Sequence, residues 1–262
     1  MARYLSLYKS FLKASIIAEL QYRGNFFLQV LVNLGWGLVY ILLYSFIFAH
    51  IEKVGDWTYE RSLVLAATFL IIQTINKFLF RQNLKKFSQM IYLGDLDLVL
   101  TKPLSSQFYI SLKQFYLRPF VRFILAIIIL LIVLAQTGIK VSFVSFMSFL
   151  VIIVISTVIV YSLWFMSCCS AFWLGNIENI YELFHPILRI TALPLDILPG
   201  FLKEIFFFVI PLVFIATIPA KTLLGLVSWS TILYGFIISI VLLFLSHKLW
   251  NFALKNYSSA SS

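Results

Sequence analysis

Between Val141 and Ile177 the chain carries no charged side chain. As a helix this run extends about 55 Å, nearly twice the roughly 30 Å hydrocarbon thickness of a bilayer. One ordinary span cannot use all of it, so a break is expected near Ser167-Cys168-Cys169-Ser170. Hydrophobic residues make up 62% of the whole sequence and charged residues 11%, a balance that a soluble core cannot absorb. The apolar stretches are continuous rather than alternating, which excludes a lipid-facing barrel strand and leaves helices. The chain therefore reads as an all-α integral membrane protein with room for six transmembrane helices.

Charge-free windows place the other spans. The first runs from Gly24 to Ala49 and the second, the weakest, from Ser62 to Asn76, with Trp57 and Tyr59 as interfacial anchors and Lys77 and Arg81 snorkelling at its far end. A third lies between Arg122 and Lys140, and a sixth between Thr222 and Ser246. Two candidates compete for the fifth. Asn176 to Pro194 carries Glu178, Glu182, His185 and Arg189 along one helical stripe. Phe201 to Pro219 is more apolar but is bounded by Pro199, Pro211 and Pro219. If the first of these crosses, Phe201 to Leu224 dips into the outer leaflet and returns, which requires its free backbone groups to be covered by protein.

The net charge of +10 is unevenly distributed. Arg3, Lys9, Lys13 and Arg23 precede the first span, and Lys77, Arg81, Lys85, Lys86, Lys102, Lys113, Arg118 and Arg122 fall between the second and third. Lys248 and Lys255 come after the sixth. Positive residues are retained in the cytoplasm, so both termini and the loop over 81–118 are expected there. These charges track a membrane boundary rather than one groove, which argues against nucleic acid. No cleavable signal is expected at the N-terminus. Instead, Tyr4, Leu5, Tyr8, Phe11, Leu12 and Ile16 recur at helical spacing, predicting an amphipathic interface helix over 1–23.

Catalytic chemistry is sparse. No phosphate loop, HExxH or GxSxG motif is present, so catalytic residues, a metal and a resident cofactor are not expected. His50, His185 and His247 are scattered, and the adjacent Cys168 and Cys169 suit close helix packing better than redox chemistry. The stripe of Glu178, Glu182, His185 and Arg189 has two readings: a substrate path or proton relay, or mutual pairing of Glu182 with Arg189 through His185.

In the basic loop stands Gly94-Asp95-Leu96-Asp97-Leu98-Val99-Leu100-Thr101-Lys102-Pro103-Leu104. Gly94 can close one helix, Asp95 can cap the next, Leu96, Leu98 and Leu100 offer apolar knobs, and Pro103 stops the run. The segment resembles the G-x-L-D-x-x-L-x-K-P-L signature of permease subunits of type-2 ATP-binding-cassette exporters, the branch first described as an uncharacterised-function family. Phe208-Val209-Ile210-Pro211-Leu212, Ile218-Pro219-Ala220 and Leu223-Leu224-Gly225 resemble the external segment of that branch, and Trp250, Leu254, Lys255 and Tyr257-Ser258-Ser259-Ala260 resemble its ending.

The resemblance implies six spans, a second permease that is identical or paralogous, and a separate ATPase subunit that binds ATP and Mg. It also makes 197–225 an external re-entrant segment. Gly94, Asp95, Leu96, Asp97, Leu98, Leu100, Lys102 and Pro103 are then the residues expected to couple to the ATPase. Gly35 and Gly37, flanking Trp36, would let two copies approach closely. A secondary transporter or channel is the rival reading, and it would need no ATPase.

Overall fold

The structure, a computed structural model, describes residues 9–11, 13, 17, 23–115, 119–174 and 186–257. Two long helices open the fold, α1 (Arg23–Phe48) and α2 (Tyr59–Asn76), the latter running on as a π-helical turn over Lys77–Arg81. Four short helices come next: α3 (Gln82–Lys85), α4 (Phe87–Tyr92), α5 (Asp95–Leu100) and α6 (Ser106–Leu112). They lead to α7 (Phe120–Thr137), α8 (Phe143–Cys169) and α9 (Ala171–Leu174). After a helical turn over 186–190 the chain forms α10 (Gly200–Glu204), α11 (Thr217–Leu223) and the long α12 (Trp229–Lys255). No β-strand occurs among the described residues, only an isolated bridge between Val54 and Trp57.

Among the described residues three stretches are long and apolar enough to cross a membrane, Tyr59–Arg81, Phe143–Leu174 and Trp229–Lys255, with Gly35–Phe48 and Arg122–Thr137 as shorter apolar helices. The weakest by hydropathy sits deepest. The apolar part of Tyr59–Arg81 is 78% buried, against 39% for Phe143–Leu174 and 28% for Trp229–Lys255, although it is the least apolar of the three. Lipid is as apolar as leucine, so a membrane bundle gains nothing by turning its greasiest surfaces inward. Polar groups go inside instead. Ser62, Thr68, Gln73, Thr74 and Asn76 of α2 are all buried, and Asn76 Nδ2 donates to the Ile72 carbonyl at 2.9 Å.

Helix ends obey the local chemistry. Ser142 Oγ accepts from the Ser145 amide at 3.0 Å and opens α8, while Gly138, at φ 63°, closes α7 just before the expected boundary at Lys140. The expected break near Ser167–Ser170 is present. Helix α8 stops at Cys169, Ser170 Oγ turns back to the Ser167 carbonyl at 2.6 Å, and α9 begins afresh. The sixth helix corrects the sequence reading, because Thr222 belongs to α11 and not to the last long helix. Gly225, at φ 72°, reverses the chain, and the Leu226 amide bonds back to the Lys221 carbonyl at 2.9 Å, so α12 starts only at Trp229.

Of the residues that compete for the fifth span, Glu178, Glu182 and His185 lie outside the described residues. The chain from 186 to 195 runs along α1: Tyr44 Oη donates to the Ala192 carbonyl at 2.5 Å, and Leu188 is buried. Residues 200–223 form a broken hairpin. Helix α10 continues as a π turn over Ile205–Val209, the chain bends at Ile210-Pro211, and a 3₁₀ turn over Leu212–Phe214 leads into α11. The first limb is largely uncovered, whereas the second is buried almost throughout. Phe214 is fully buried, its carbonyl accepting from Ser156 Oγ midway along α8, and Gly225 comes level with Ser145 near the start of that helix.

Candidate coupling surface and a polar cluster at the opposite end

Helices α3 to α6 gather at one end of the bundle, the basic end, and Asn83 fastens the first of them to the last. Its Nδ2 donates to the carbonyls of Ser111 at 2.9 Å and Gln114 at 2.7 Å, and its Oδ1 accepts from the Gln114 amide at 2.9 Å. The end of α6 is thereby tied to α3, which continues α2. Further side chains join α6 to the long helices. Gln107 Nε2 lies 3.3 Å from both Tyr161 Oη and Ser246 Oγ, His247 Nδ1 lies 2.9 Å from Gln107 Oε1, and Ser111 Oγ lies 2.8 Å from Tyr161 Oη. His247 thus belongs to a structural network, and Cys168, with its Sγ 3.9 Å from the Leu84 carbonyl, is packed inside the same end with Cys169.

Within this frame Gly94 takes φ 76° and ψ 2°, a left-handed conformation that favours glycine, and turns α4 into α5. Gly94 itself is the N-cap and Asp95 is the first helical residue with no side-chain cap, which corrects the expected capping role of Asp95. Asp95 and Asp97 still place two carboxylates in the first turn, where the helix dipole favours them. The three leucines divide as a helix requires. Leu96 is 1% exposed and, with Val99, anchors α5 to the core, so it is not a knob; Leu98 is 67% exposed and Leu100 is 41% exposed. Leu93, just before the turn, is exposed beside them. The helix ends at Leu100, before Pro103.

Beside α5 lies an open cleft lined by Lys86, Asp95, Leu98, Lys102, Tyr109 and Lys113, among others. Lys102 Nζ donates to Tyr109 Oη at 2.6 Å and lies 4.1 Å from the ring centroid, while Lys113 lies 5.5 Å from it. Burial pushes the Tyr109 phenol up, but the Lys102 hydrogen bond and the charges of Lys113 and Lys102 outweigh it and leave the pKa below the ordinary value. Phe11 packs edge-on against the same ring at 6.0 Å, so the described part of the N-terminal helix touches this cleft. The rest of the predicted 1–23 stripe lies mostly outside the described residues.

The chain's ending meets the same surface. Trp250 is fully buried among Phe87, Phe165 and Phe172, and its Nε1 donates to Ser106 Oγ at 3.1 Å. Tyr257 sits edge-on to Phe172, and its phenol is pushed up by burial and then by the negative charge of Asp97. Two segments about 150 residues apart in sequence are therefore built into one structure.

The family described as ABC-2 family transporter protein matches residues 34–261, most of the chain. The chain belongs to that family. Among curated proteins nothing matches it. As a member it is a multi-pass membrane protein and the permease component of an ATP-binding-cassette transporter, not itself catalytic. Permeases of this family typically work with an ATP-binding-cassette ATPase.

At the opposite end of the permease a second cluster escaped the sequence reading. Trp57 Nε1 donates to Asp196 Oδ1 at 2.8 Å, Asp196 Oδ2 is in ion-pair contact with Lys221 Nζ, and Lys221 lies 4.0 Å from Asp56 and 5.6 Å from the Trp57 ring centroid. It ties the α1–α2 connection, the 3₁₀ turn over Leu195–Ile197 and α11 together. Only the isolated acid and base in otherwise apolar stretches hinted at it, and nothing local pairs residues 25 apart. Asp196→Asn keeps the shape and removes the charge. Hydrogen bonds to charged groups contribute about 1.5–3 kcal/mol, and a loss in that range, read as a lower thermal midpoint in detergent, is the expected result; Asp196→Asn with Lys221→Met should recover part of it.

Of the other predicted positions, Arg189 is exposed, with its guanidinium 5.6 Å from the Trp36 ring centroid. His50 stays at the C-terminal end of α1, its Nδ1 3.4 Å from the Phe46 carbonyl. Gly37 faces inward, where an added Cβ would meet Ile129 of α7 at 3.5 Å, while Gly35 has open space around it. The two glycines therefore serve different neighbours.

Proposed function

We propose that the permease is the membrane half of an ATP-driven exporter and that α5 receives the motion of a separate ATPase subunit. The observation that carries this reading is the exposure of Leu98 and Leu100 on a short helix anchored to the core by Leu96 and Val99, with Leu93 exposed just before its turn. Exposed leucines on a stiff, core-bound element are an apolar anchor for a partner. ATP and Mg belong to that partner. Gly94, Asp95, Asp97, Leu98, Leu100, Lys102 and Pro103 shape the docking surface, and Leu96 supports it from beneath.

In this reading the basic end is cytoplasmic, by the retention of positive charge, and the permease sits in the cell membrane with both termini inside. The hairpin over 200–223 is then the external re-entrant segment: its bend lies beside mid-α8, and its second limb has the protein cover that irregular backbone at membrane depth requires. A second permease completes the path. Gly35 and the exposed Leu31, Leu38 and Leu42 of α1 offer it an apolar, close-approach surface.

Single cysteines test the orientation, since Cys168 and Cys169 are buried. A cysteine at Asp56 should label with an impermeant reagent in intact cells, and one at Gln89 only after permeabilisation; the reverse pattern would invert the topology. Leu98→Asp tests the coupling. It should leave expression at the parent's level and stability within about 0.5 kcal/mol of it, as exposed substitutions do, yet abolish co-purification with the cognate ATPase. Retained association would remove α5 from the interface.

A further inference from the structure

Two arginines, Arg122 of α7 and Arg189 of the 186–190 turn, come together beside α1. Arg122, in the first turn of α7, is 7% exposed, and its Nε has no hydrogen-bond partner. Arg189 stands over the Trp36 ring of α1. The two guanidinium groups lie within electrostatic reach of one another and of the Tyr40 phenol, itself packed edge-on against Phe69 of α2. Among the described residues no carboxylate pairs with either arginine.

Like charges brought together where the dielectric is low repel strongly, and a buried guanidinium with an idle donor has lost water without replacement. Arginine does not relieve this by deprotonating. Such an arrangement is stable when an anion bridges it, and the planar fork of donors fits the oxygens of a phosphate or carboxylate. Trp36 bears on how the site is reached. It holds Arg189 by a cation–π contact yet is 40% exposed, so the place opens sideways from α1 rather than into a sealed core.

We propose that Arg122 and Arg189, flanked by Trp36 and Tyr40, bind the anionic phosphate or carboxylate group of a ligand that enters between α1 and the 186–190 turn. This deepens the permease reading by giving its path a charge preference, and it rests on that reading for the ligand being cargo. Lipid headgroups and free anions share the chemistry.

The test uses the full chain alone, without an ATPase, so its outcome is independent of whether α5 docks one. Native mass spectrometry is recorded after equilibration in detergent with equal amounts of phosphatidylglycerol and phosphatidylcholine, with and without millimolar inorganic phosphate. The wild type should retain phosphatidylglycerol at least tenfold over phosphatidylcholine. Arg122→Gln with Arg189→Gln should lose that preference, while Lys248→Gln with Lys255→Gln, remote from the site, keeps it. Displacement of the lipid by phosphate, or retention of phosphate alone, assigns the site to a free anion; resistance to phosphate assigns it to a lipid headgroup. If the double arginine variant is not monodisperse, the wild type decides: equal retention of the two lipids and no retained phosphate overturn the proposal. So does an unchanged preference in the arginine variant, or a preference that appears only after Glu178→Gln and Glu182→Gln, which would show the arginines neutralised from within.

Discussion

Gly235→Val is expected to be the most damaging glycine substitution in the bundle. A Cβ at Gly235 would lie 2.5 Å from Cε1 and 2.9 Å from Cδ1 of Phe214, far inside contact distance. Phe214 cannot swing aside: it is fully buried, and its ring packs against Phe207 and Tyr234. Overpacking alone costs about 1–3 kcal/mol, and displacing Phe214 would open the contact between the hairpin bend and α8. The thermal midpoint should fall sharply, with the hairpin over 200–223 becoming protease-sensitive first. Gly37→Ala is the contrasting case. Its Cβ would meet Ile129 at an ordinary 3.5 Å, and replacing glycine inside a helix gains about 0.5–1 kcal/mol, so this variant should be as stable as the parent or more so. Equal midpoints for the two would show that the Phe214 contact does not constrain the bundle.

The second large effect is at Leu96. Burying that side chain contributes about 1.5–3 kcal/mol, and Leu96→Asp would also place a carboxylate in an apolar site on a helix that already carries Asp95 and Asp97. Local unfolding of α5 is the expected result, seen as new proteolytic cleavage between Lys86 and Lys102 together with loss of ATPase association. Leu98→Asp should lose association without cleavage. The pair of variants separates a helix that must be folded from a surface that must be bare. Cleavage in both would mean that Leu98 too is part of the anchor.

How much of the molecule is legible in its sequence depends on how local the signal is. The left-handed turn at Gly94, the end of α5 before Pro103 and the break at Ser170 arise from residues within one turn of each event, and the sequence announces them. Which leucines of α5 face inward needs the helix's partner, so a row of three knobs became one anchor and two exposed side chains. The start of α12 was misplaced because hydropathy runs smoothly from Thr222 onward, whereas the chain actually turns at Gly225, a glycine that hydropathy scores as neutral. The Asp196–Lys221 pair depends on the hairpin bringing distant segments together, and no window of sequence contains both. Conversely, α2 looked weak because its polar side chains were scored against lipid when they face protein.

The clamp at Asn83 has a mechanical meaning. A loop between two membrane helices ordinarily absorbs displacement, because its backbone torsions can rotate. Here three hydrogen bonds from one amide side chain bind the last turn of α6 to the foot of α2, and the π turn at Lys77–Arg81 continues that foot into the bundle's most buried helix. The segment from α3 to α6 is thus fastened as a bracket rather than a tether, and in the proposed coupling a push on the exposed leucines would reach α2 with little slack in which to dissipate.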